Sequence, residues 1–578
     1  MARIDQLPDY RAKLPKSVHN LSHRFGFTAT VAHLMPVFHD FLNAGETVEL
    51  GLNYNLRTQP LQSAAMVNIT GHVEYFFVPM FLLYEPFGSL YYNICDNYSS
   101  FVPSTGVLRD FPVLDFEQFH TEMQSHDTDT IEFEDWCNHA YRLFDLLAYN
   151  NTNMNSNNVH FNANVFPYPL LAYQCIYQYY YRLDTRESFD QHVFNWDKYY
   201  NTALVTLSEA DYKKLIRLHY RPYDSDYFTD IKVSPIVDVL NLNTKTSFDM
   251  ANQWLTRSNA STTNILSSGS PGYSTPVSGS PFNVNQINPS TTVQTQVGFQ
   301  YSTVQGSNLN GLDIGTANIR AMFATEKLLS VTGRARKHYD DQTLAHFGVK
   351  VPHDVKHEIS CFGHDRSSIH IGEVISTADT TNAALGEIAG KGYGSLNSKP
   401  HKFTAPCHGV VMAILSFVPE VCYGGPMYAK FNVITNRADL YTPEYDHLGM
   451  QPLFGYEMNA VGGSHIIGWQ YRYEQWKRRY NRVTKAFSGN GTLDSWMLDF
   501  KPYHGVSFPN AANANWTYEY FLHQPNELDQ LMLVNYVTTL PASDETKTYD
   551  GDPFVVDAFV HCKKISSMSD YSLPRLDA

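Results

Sequence analysis

Apolar and polar residues alternate in segments near both ends of this chain, and that pattern constrains the fold more than any other feature. The alternation runs through residues 24–31, 47–56 and 554–561. Because neighbouring side chains of a β-strand point to opposite faces, such segments are predicted to be half-buried strands. Residues 72–79 indicate a further strand, and residues 408–418 form a near-continuous apolar strand. We therefore expect one β-sandwich whose late strands pair with early ones.

Helices are predicted between these strands. Their expected positions are residues 136–147, from Pro169 onward, 208–218, 316–331 and 341–347. Ser208 and Asp211 have the spacing of a capping box, and Phe323 is expected on the buried side of its helix. The glycine run Gly390–Gly394 is more simply interpreted as a turn.

The composition is unusual for a monomeric cytosolic enzyme. The 578 residues include only 17% charged but 14% aromatic side chains, which favours surfaces that pack against proteins or glycans. The formal net charge of −15 argues against a classical basic nucleic-acid binder. Seven scattered cysteines without a C-x-x-C pair are typical of reduced thiols in a cytoplasm. We expect no secretory signal and no transmembrane helix.

Signals for catalysis are weak. The sequence has no phosphate-binding loop, dinucleotide fingerprint, nucleophile elbow or H-E-x-x-H motif. His353, His357, His364 and His370 lie close together in sequence, but their spacing matches no recognised zinc site. We therefore expect no enzyme activity, no metal and no cofactor.

One segment, Trp469–Lys485, combines cations with aromatic residues in an otherwise acidic chain. Cations for phosphates and aromatic faces for bases are the ingredients of single-strand DNA binding. Arginine and aromatic residues also anchor protein–protein interfaces, so both interpretations stay open. The candidate contact residues for DNA or an internal partner are Arg472, Tyr473, Trp476, Lys477, Arg478, Arg479, Arg482 and Lys485.

Residues 258–312 contain no Asp, Glu, Lys, Arg or His. Such a segment is typical of a flexible linker or of a projecting surface loop rich in hydroxyl and amide groups. As a projection it is expected to contact a protein or glycan on another surface. The candidate contact residues are Ser268, Tyr273, Thr275, Asn283, Asn285, Thr291 and Thr292.

Several blocks of sequence, in order, resemble the major capsid protein of the Microviridae, the tailless phages with single-stranded DNA, and are most similar to its gokushovirus-like branch. The blocks are residues 21–66, 72–89, 319–354, 392–420, 437–458 and 471–498. They begin with LSHRFGFTATVAHLMPVFHDFLNAGETVELGLNYNL and end with YRYEQWKRRYNRVTKAFSGNGTLDSWML. Together they are more specific than any single motif.

The resemblance implies a mainly β fold, an eight-stranded antiparallel jelly-roll β-sandwich with large helical and loop insertions. It also implies sixty copies in a T=1 icosahedral shell around a circular single-stranded DNA genome. The implied partners are a small basic DNA-binding packaging protein, a minor spike or pilot protein and a host cell-surface receptor. The expected location is the virion, assembled in the bacterial cytoplasm without membrane insertion.

Within one jelly-roll domain, four regions are expected. They are an N-terminal arm with the first strands (1–100), a helical and loop insertion (101–234), a variable surface insertion forming a threefold projection (235–312), and the remaining helices and strands (313–578). A competing class is a secreted carbohydrate-binding or glycan-hydrolysing β-sandwich, which also favours aromatic residues and few charges. That class predicts a signal peptide and paired carboxylates in a concave site.

Overall fold

The computed structural model describes most of the predicted strands and several of the helices. The described residues are 15–92, 112–114, 142–149, 165–184, 187–195, 204–205, 208, 211, 214–232, 316–334, 339–349, 358–377, 386, 388–424, 434, 437–446, 449–458, 466–487, 491–499, 522–523, 527–528, 530–533 and 552–569. The chain divides into two compact units. One unit comprises Met1–Val233 and Pro352–Ala578, and the other comprises Ser234–Val351. The finer division into four regions stays a prediction.

Fourteen strands are found in the described residues. They are β1 (Ser17–Asn20), β2 (His23–Ala29), β3 (Met35–Leu42), β4 (Thr47–Thr58), β5 (Ile69–Pro79), β6 (Val113–Leu114), β7 (Leu204–Val205), β8 (Ser360–Ile375), β9 (Ile388–Asn397), β10 (His401–Thr404), β11 (Gly409–Pro419), β12 (Met450–Phe454), β13 (Ile466–Tyr471) and β14 (Phe554–Ser566). Ten of them form one antiparallel sheet in the order β1-β14-β4-β9-β8-β5-β11-β3, with β2 paired to β14 and β10 paired to β4. The pairs β12–β13 and β6–β7 form two small sheets.

Strand β14 pairs with strands from the start of the chain, as the alternating pattern predicts. It runs antiparallel to β4 from Phe554 opposite Thr58 to Ile565 opposite Thr47. Its other edge pairs with β2 and β1. The prediction that late strands pair with early ones is therefore confirmed.

The large sheet curls so that β4 and β14 face β5 and β11 across a shared core. The Phe417 ring of β11 lies 5.7 Å from that of Tyr54 in β4 and 5.2 Å from that of Phe554 in β14. The Leu52 amide donates a 2.9 Å hydrogen bond to the Tyr75 hydroxyl across the same gap. The fold is therefore the predicted mainly β jelly roll, with eight strands along its main path and ten in the sheet.

Strand β11 is buried along its whole length because each of its faces packs against a different core. Val411, Ala413, Leu415 and Phe417 face the core between the layers. Val410, Met412 and Ile414 face a second core built from helical segments. Two buried faces explain why this strand lacks the apolar–polar alternation seen in β14.

The helical segments of the first unit are short and mostly aromatic or aliphatic. Those described before residue 200 include α1 (Met80–Leu83), α2 (Phe87–Tyr92) and α3 (Tyr168–Ile176), which continues as a π-helix over Tyr177–Tyr181. The predicted helix at 136–147 is seen at residues 142–146, and Leu143 and Phe144 are buried in the second core. The Asp211 amide donates to the Ser208 hydroxyl at 3.3 Å, which is the predicted capping contact.

The second unit contains two described helices, α4 (Thr316–Arg334) and α5 (Tyr339–Phe347). Both agree with the predicted helices. Gly348 ends α5 with a φ of +67°, a left-handed conformation that suits glycine at a helix end. Phe323, however, is 66% exposed in the single subunit, so the prediction that it lies on the buried side of its helix was wrong.

The glycine run Gly390–Gly394 is part of strand β9, so its interpretation as a turn was wrong. The three glycines of the run lie on the crowded face of the strand. A Cβ at Gly390 would lie 2.1 Å from the Ser63 carbonyl oxygen, and one at Gly392 would lie 2.5 Å from Thr58 Cγ2. Here glycine allows a close approach of neighbouring segments, which outweighs its weak strand propensity.

Replacing Phe417 with Ala should lower the free energy of unfolding by about 3–5 kcal/mol, because the ring fills the space between the two layers. Urea unfolding followed by tryptophan fluorescence measures the change. Phe323→Ala is the matched control, since that ring is largely exposed and should cost less than about 0.5 kcal/mol. Equal losses in the two variants would contradict the layered packing.

Candidate functional site

The cation-rich segment predicted from the sequence begins on the small β12–β13 sheet. Trp469 of β13 pairs with Pro452 of β12. The backbone of Trp469 also exchanges two hydrogen bonds with Lys232, at 2.7 and 2.9 Å. The start of the segment is therefore fixed on both sides by backbone pairing.

Tyr473 turns the chain after β13 and is a core residue. Its φ of +63° is left-handed, and its side chain is only 1% exposed. Its amide donates to Gln451 Oε1 at 3.1 Å, and its hydroxyl donates to the Leu440 carbonyl at 3.1 Å. These contacts position the one-turn helix α6 (Glu474–Lys477) that follows.

Arg478 and Arg472 are held within the subunit. Arg478 Nε lies 2.8 Å from Glu474, and its Nη1 lies 3.0 Å from Asp230. The Arg472 guanidinium lies 5.0 Å from the centre of the Tyr473 ring. Because Arg478 is paired with two carboxylates, its charge is largely satisfied inside the protein.

The remaining aromatic residues of the segment mostly face inward. The Tyr480 ring lies 4.7 Å from that of Phe228 and 5.6 Å from that of Tyr227, within a third core that also includes Tyr423. The backbone beside Tyr480 pairs with Tyr423, whose amide donates to the Asn481 carbonyl at 2.9 Å. This pairing turns Arg479 and Arg482 outward while Tyr480 and Val483 point in.

The exposed part of the segment is a basic surface with one aromatic residue. It consists of Trp476, which is 51% exposed, and the exposed cations Lys477, Arg479, Arg482 and Lys485. The Lys477 ammonium donates to the Arg472 carbonyl at 2.9 Å. Of the eight candidate residues, the structure thus places five on this basic surface, and it keeps Arg472, Tyr473 and Arg478 for internal contacts.

The predicted host-contact residues, Ser268 to Thr292, lie outside the described residues, as do His353 and His357. The choice between DNA and a subunit interface for the basic surface stays a prediction.

A largely buried ion pair between Glu74 of β5 and Arg221 is a polar site that the sequence analysis missed. Both oxygens of Glu74 accept hydrogen bonds from Arg221, each at 3.0 Å. The Tyr181 hydroxyl also donates to Glu74, and Arg221 Nη1 donates to Ser416 of β11 at 3.3 Å. The pair joins the jelly roll to residues 214–232. It connects positions 147 residues apart in sequence, so no local pattern predicts it.

Two histidines lie beside this ion pair. His72 Nδ1 is 3.4 Å from His364 Nε2, which is 3.8 Å from Glu74 Oε1. Burial, helped by the positive charge of Arg221, lowers the pKa of His72 to about 4. Both histidines are therefore neutral near pH 7, since burial also lowers the pKa of His364.

The donor set of His72, Glu74 and His364 resembles a metal site in composition. However, Arg221 already donates to both Glu74 oxygens, and its charge would repel a cation at the same carboxylate. The chemistry of the group therefore fits a structural ion pair better than a metal centre.

Among the described residues no helix is long and apolar enough to cross a membrane.

A large antiparallel sheet curled into two layers, with helices inserted between its strands, defines a jelly-roll protein. The model of the family described as "Capsid protein (F protein)" matches residues 10–109 and 135–538, and the chain belongs to this phage capsid protein family. Members of the family are structural proteins of the virion.

A similar curated protein is the capsid protein VP1 of Chlamydia phage 1. It is 24% identical over 275 residues, which cover 45% of this chain and 42% of VP1. The match thus spans less than half the length of that relative. Together with the family match, it confirms the resemblance to the Microviridae major capsid protein.

Replacing Glu74 with Gln should lower the free energy of unfolding by about 3 kcal/mol near neutral pH, because the largely buried Arg221 loses the carboxylate that balances its charge. Glu49→Gln is the matched control. Its carboxylate pairs with Lys402 at 3.4 Å at a more exposed position, so its loss should cost less than about 1 kcal/mol.

The same pair predicts a pH dependence. Burial by itself would raise the pKa of Glu74, but the charge and hydrogen bonds of Arg221 outweigh it and lower the pKa below 4.5. The stabilisation is then fully present above about pH 4.5, the unfolded value, and is lost as the pH falls through the folded value. Thermal unfolding at pH 7 and at pH 3 measures this. A gap between wild type and Glu74→Gln that does not narrow at pH 3 would refute it.

Proposed function

We propose that this chain is the major subunit of a T=1 icosahedral shell of sixty copies that encloses a circular single-stranded DNA genome. Membership of the phage capsid family is the observation that carries this proposal. The chain has a structural rather than an enzymatic role. Its location is the virion, after assembly in the cytoplasm of a bacterial host.

The inner contact with the genome is assigned to the basic surface of Trp476, Lys477, Arg479, Arg482 and Lys485. These cations are exposed in a chain of net charge −15, and Trp476 offers a face on which a base can stack. The other three candidates, Arg472, Tyr473 and Arg478, support this surface from within.

Charge also implies a basic partner. Sixty copies of a subunit with net charge −15 carry about −900 formal charges, before the genome adds its phosphates. Shell and genome then repel each other unless cations intervene. A small basic DNA-binding packaging protein is therefore an expected partner, together with a minor spike or pilot protein and a host receptor contacted by residues 258–312.

Shell formation is tested by expressing the full chain and examining it by electron microscopy and mass photometry. Closed particles with the mass of sixty chains are expected. Particles lacking residues 258–312 should still close but should no longer adsorb to host cells. A stable monomer that cleaves glycans would overturn the proposal in favour of the carbohydrate-active alternative.

Substituting Arg479, Arg482 and Lys485 with Ser should reduce the salt dependence of single-strand DNA binding. Each lost phosphate contact lowers the slope of log K against log salt by about 0.7, so the triple variant should lose about 2. Fluorescence anisotropy with a labelled oligothymidylate measures the slope. Lys391, Lys402 and Lys563, exposed on the large sheet, give the matched triple variant, which should keep the wild-type slope. An unchanged slope in the first variant would argue for a subunit interface instead.

A further inference from the structure

The outer face of the large sheet carries an open polar cleft that the capsid role does not explain. The cleft crosses β2, β14, β4 and β9 and has a volume of about 560 Å³, within the usual range of ligand sites. Its lining residues are Arg24, Asn53, Tyr54, Asn55, Ser395, Leu396, Asn397, Asp557, Ala558 and Phe559.

Strand register arranges the outward side chains of the cleft in two rows. One row runs Arg24, Phe559, Asn53 and Asn397, because Phe559 pairs with Arg24 and Asn53, and Asn53 pairs with Asn397. The next row holds Asp557, Asn55 and Ser395 by the same pairings. Every second residue of four adjacent strands therefore contributes to one surface.

Three asparagines on neighbouring strands are unusual, because asparagine is depleted in β-strands. A stability requirement alone would favour threonine or valine there. Asn53 accepts a 3.0 Å hydrogen bond from the Ser398 amide, which orients its side chain. Within the described part of the chain, no hydrogen bond is made by the side chains of Asn55, Ser395 and Asn397, which are exposed. Their amide and hydroxyl groups supply both donors and acceptors to a ligand.

The described lining residues carry no net charge. Among them Arg24 is the single cation, and it makes two 2.6 Å hydrogen bonds to Asp557, the single anion. Phe559 adds an apolar ring that is 45% exposed. A neutral surface of amides and hydroxyls with one open aromatic ring matches a pyranose, whose hydroxyl groups need hydrogen bonds and whose C–H face packs on a ring.

We propose that this cleft binds a neutral oligosaccharide, with Phe559 stacking on one sugar ring and Asn55, Asn397 and Ser395 contacting its hydroxyl groups. Single-stranded DNA fits less well, because its phosphates require cations and the one cation here is paired with Asp557. The site is distinct from residues 258–312 and does not depend on shell formation.

The test applies the fluorescently labelled full chain to a printed array of neutral hexose and N-acetylhexosamine oligosaccharides. Phe559→Ala and, separately, Asn55→Ala with Asn397→Ala should each weaken binding at least tenfold. Tyr393→Ala is the matched control, because this aromatic residue is exposed on β9 of the same sheet but lies outside the cleft. It should bind as the wild type does.

Circular dichroism and thermal unfolding of each variant distinguish a loss of binding from a loss of folding. If one of the two variants fails to fold, the other still tests the proposal. Absence of array binding by the wild type, or an equal loss in Tyr393→Ala, would overturn the proposal. So would binding of oligothymidylate at this cleft without sugar binding. Electron microscopy of the same preparations scores shell formation separately, so failure of the capsid proposal is distinguishable from failure of this one.

Discussion

Burial of β11 on both faces is the constraint on which the rest of the structure depends. One face of β11 packs into the core between the two layers of the sheet. The other face packs against α1 and α3. The helical segments are therefore part of the hydrophobic core, and Met412 and Ile414 would be exposed without them. A jelly roll enlarged in this way grows by adding a second core to one layer of the sheet.

The internal ion pairs follow the same division between the jelly roll and the segments that pack against it. The ion pair of Glu74 and Arg221 lies on the helix-facing side of β5, next to β11, and its hydrogen bonds fix the register between the jelly roll and residues 214–232. Farther along the chain Arg478 is paired with Asp230 and Glu474, which leaves Arg479 and Arg482 outward. The protein uses these internal charges for positioning, while the neighbouring cations Arg479 and Arg482 are exposed.

Much of the fold follows from local sequence, but its long-range features do not. Alternation predicted β4 and β14, and helical spacing predicted α4 and α5, because each pattern reflects one face of one element. Strand β9 was not predicted because its glycines are typical of a turn. These glycines are needed because Ser63 and Thr58, from distant segments, approach the strand closely. The same limit applies to the basic surface, where spacing identified the cations but only tertiary packing decides that Tyr473 and Tyr480 turn inward while Trp476 stays out.

The place of β14 between β4 and β2 has a consequence for synthesis. Its partners are made first, and roughly 500 residues must then be translated, which at about 5–20 residues per second takes roughly 25–100 s. During that time the edge of β4 that β14 will cover is an open template for pairing with another nascent chain. A chain that stops before residue 554 lacks the strand that covers this edge, so the edge of β4 stays open for pairing.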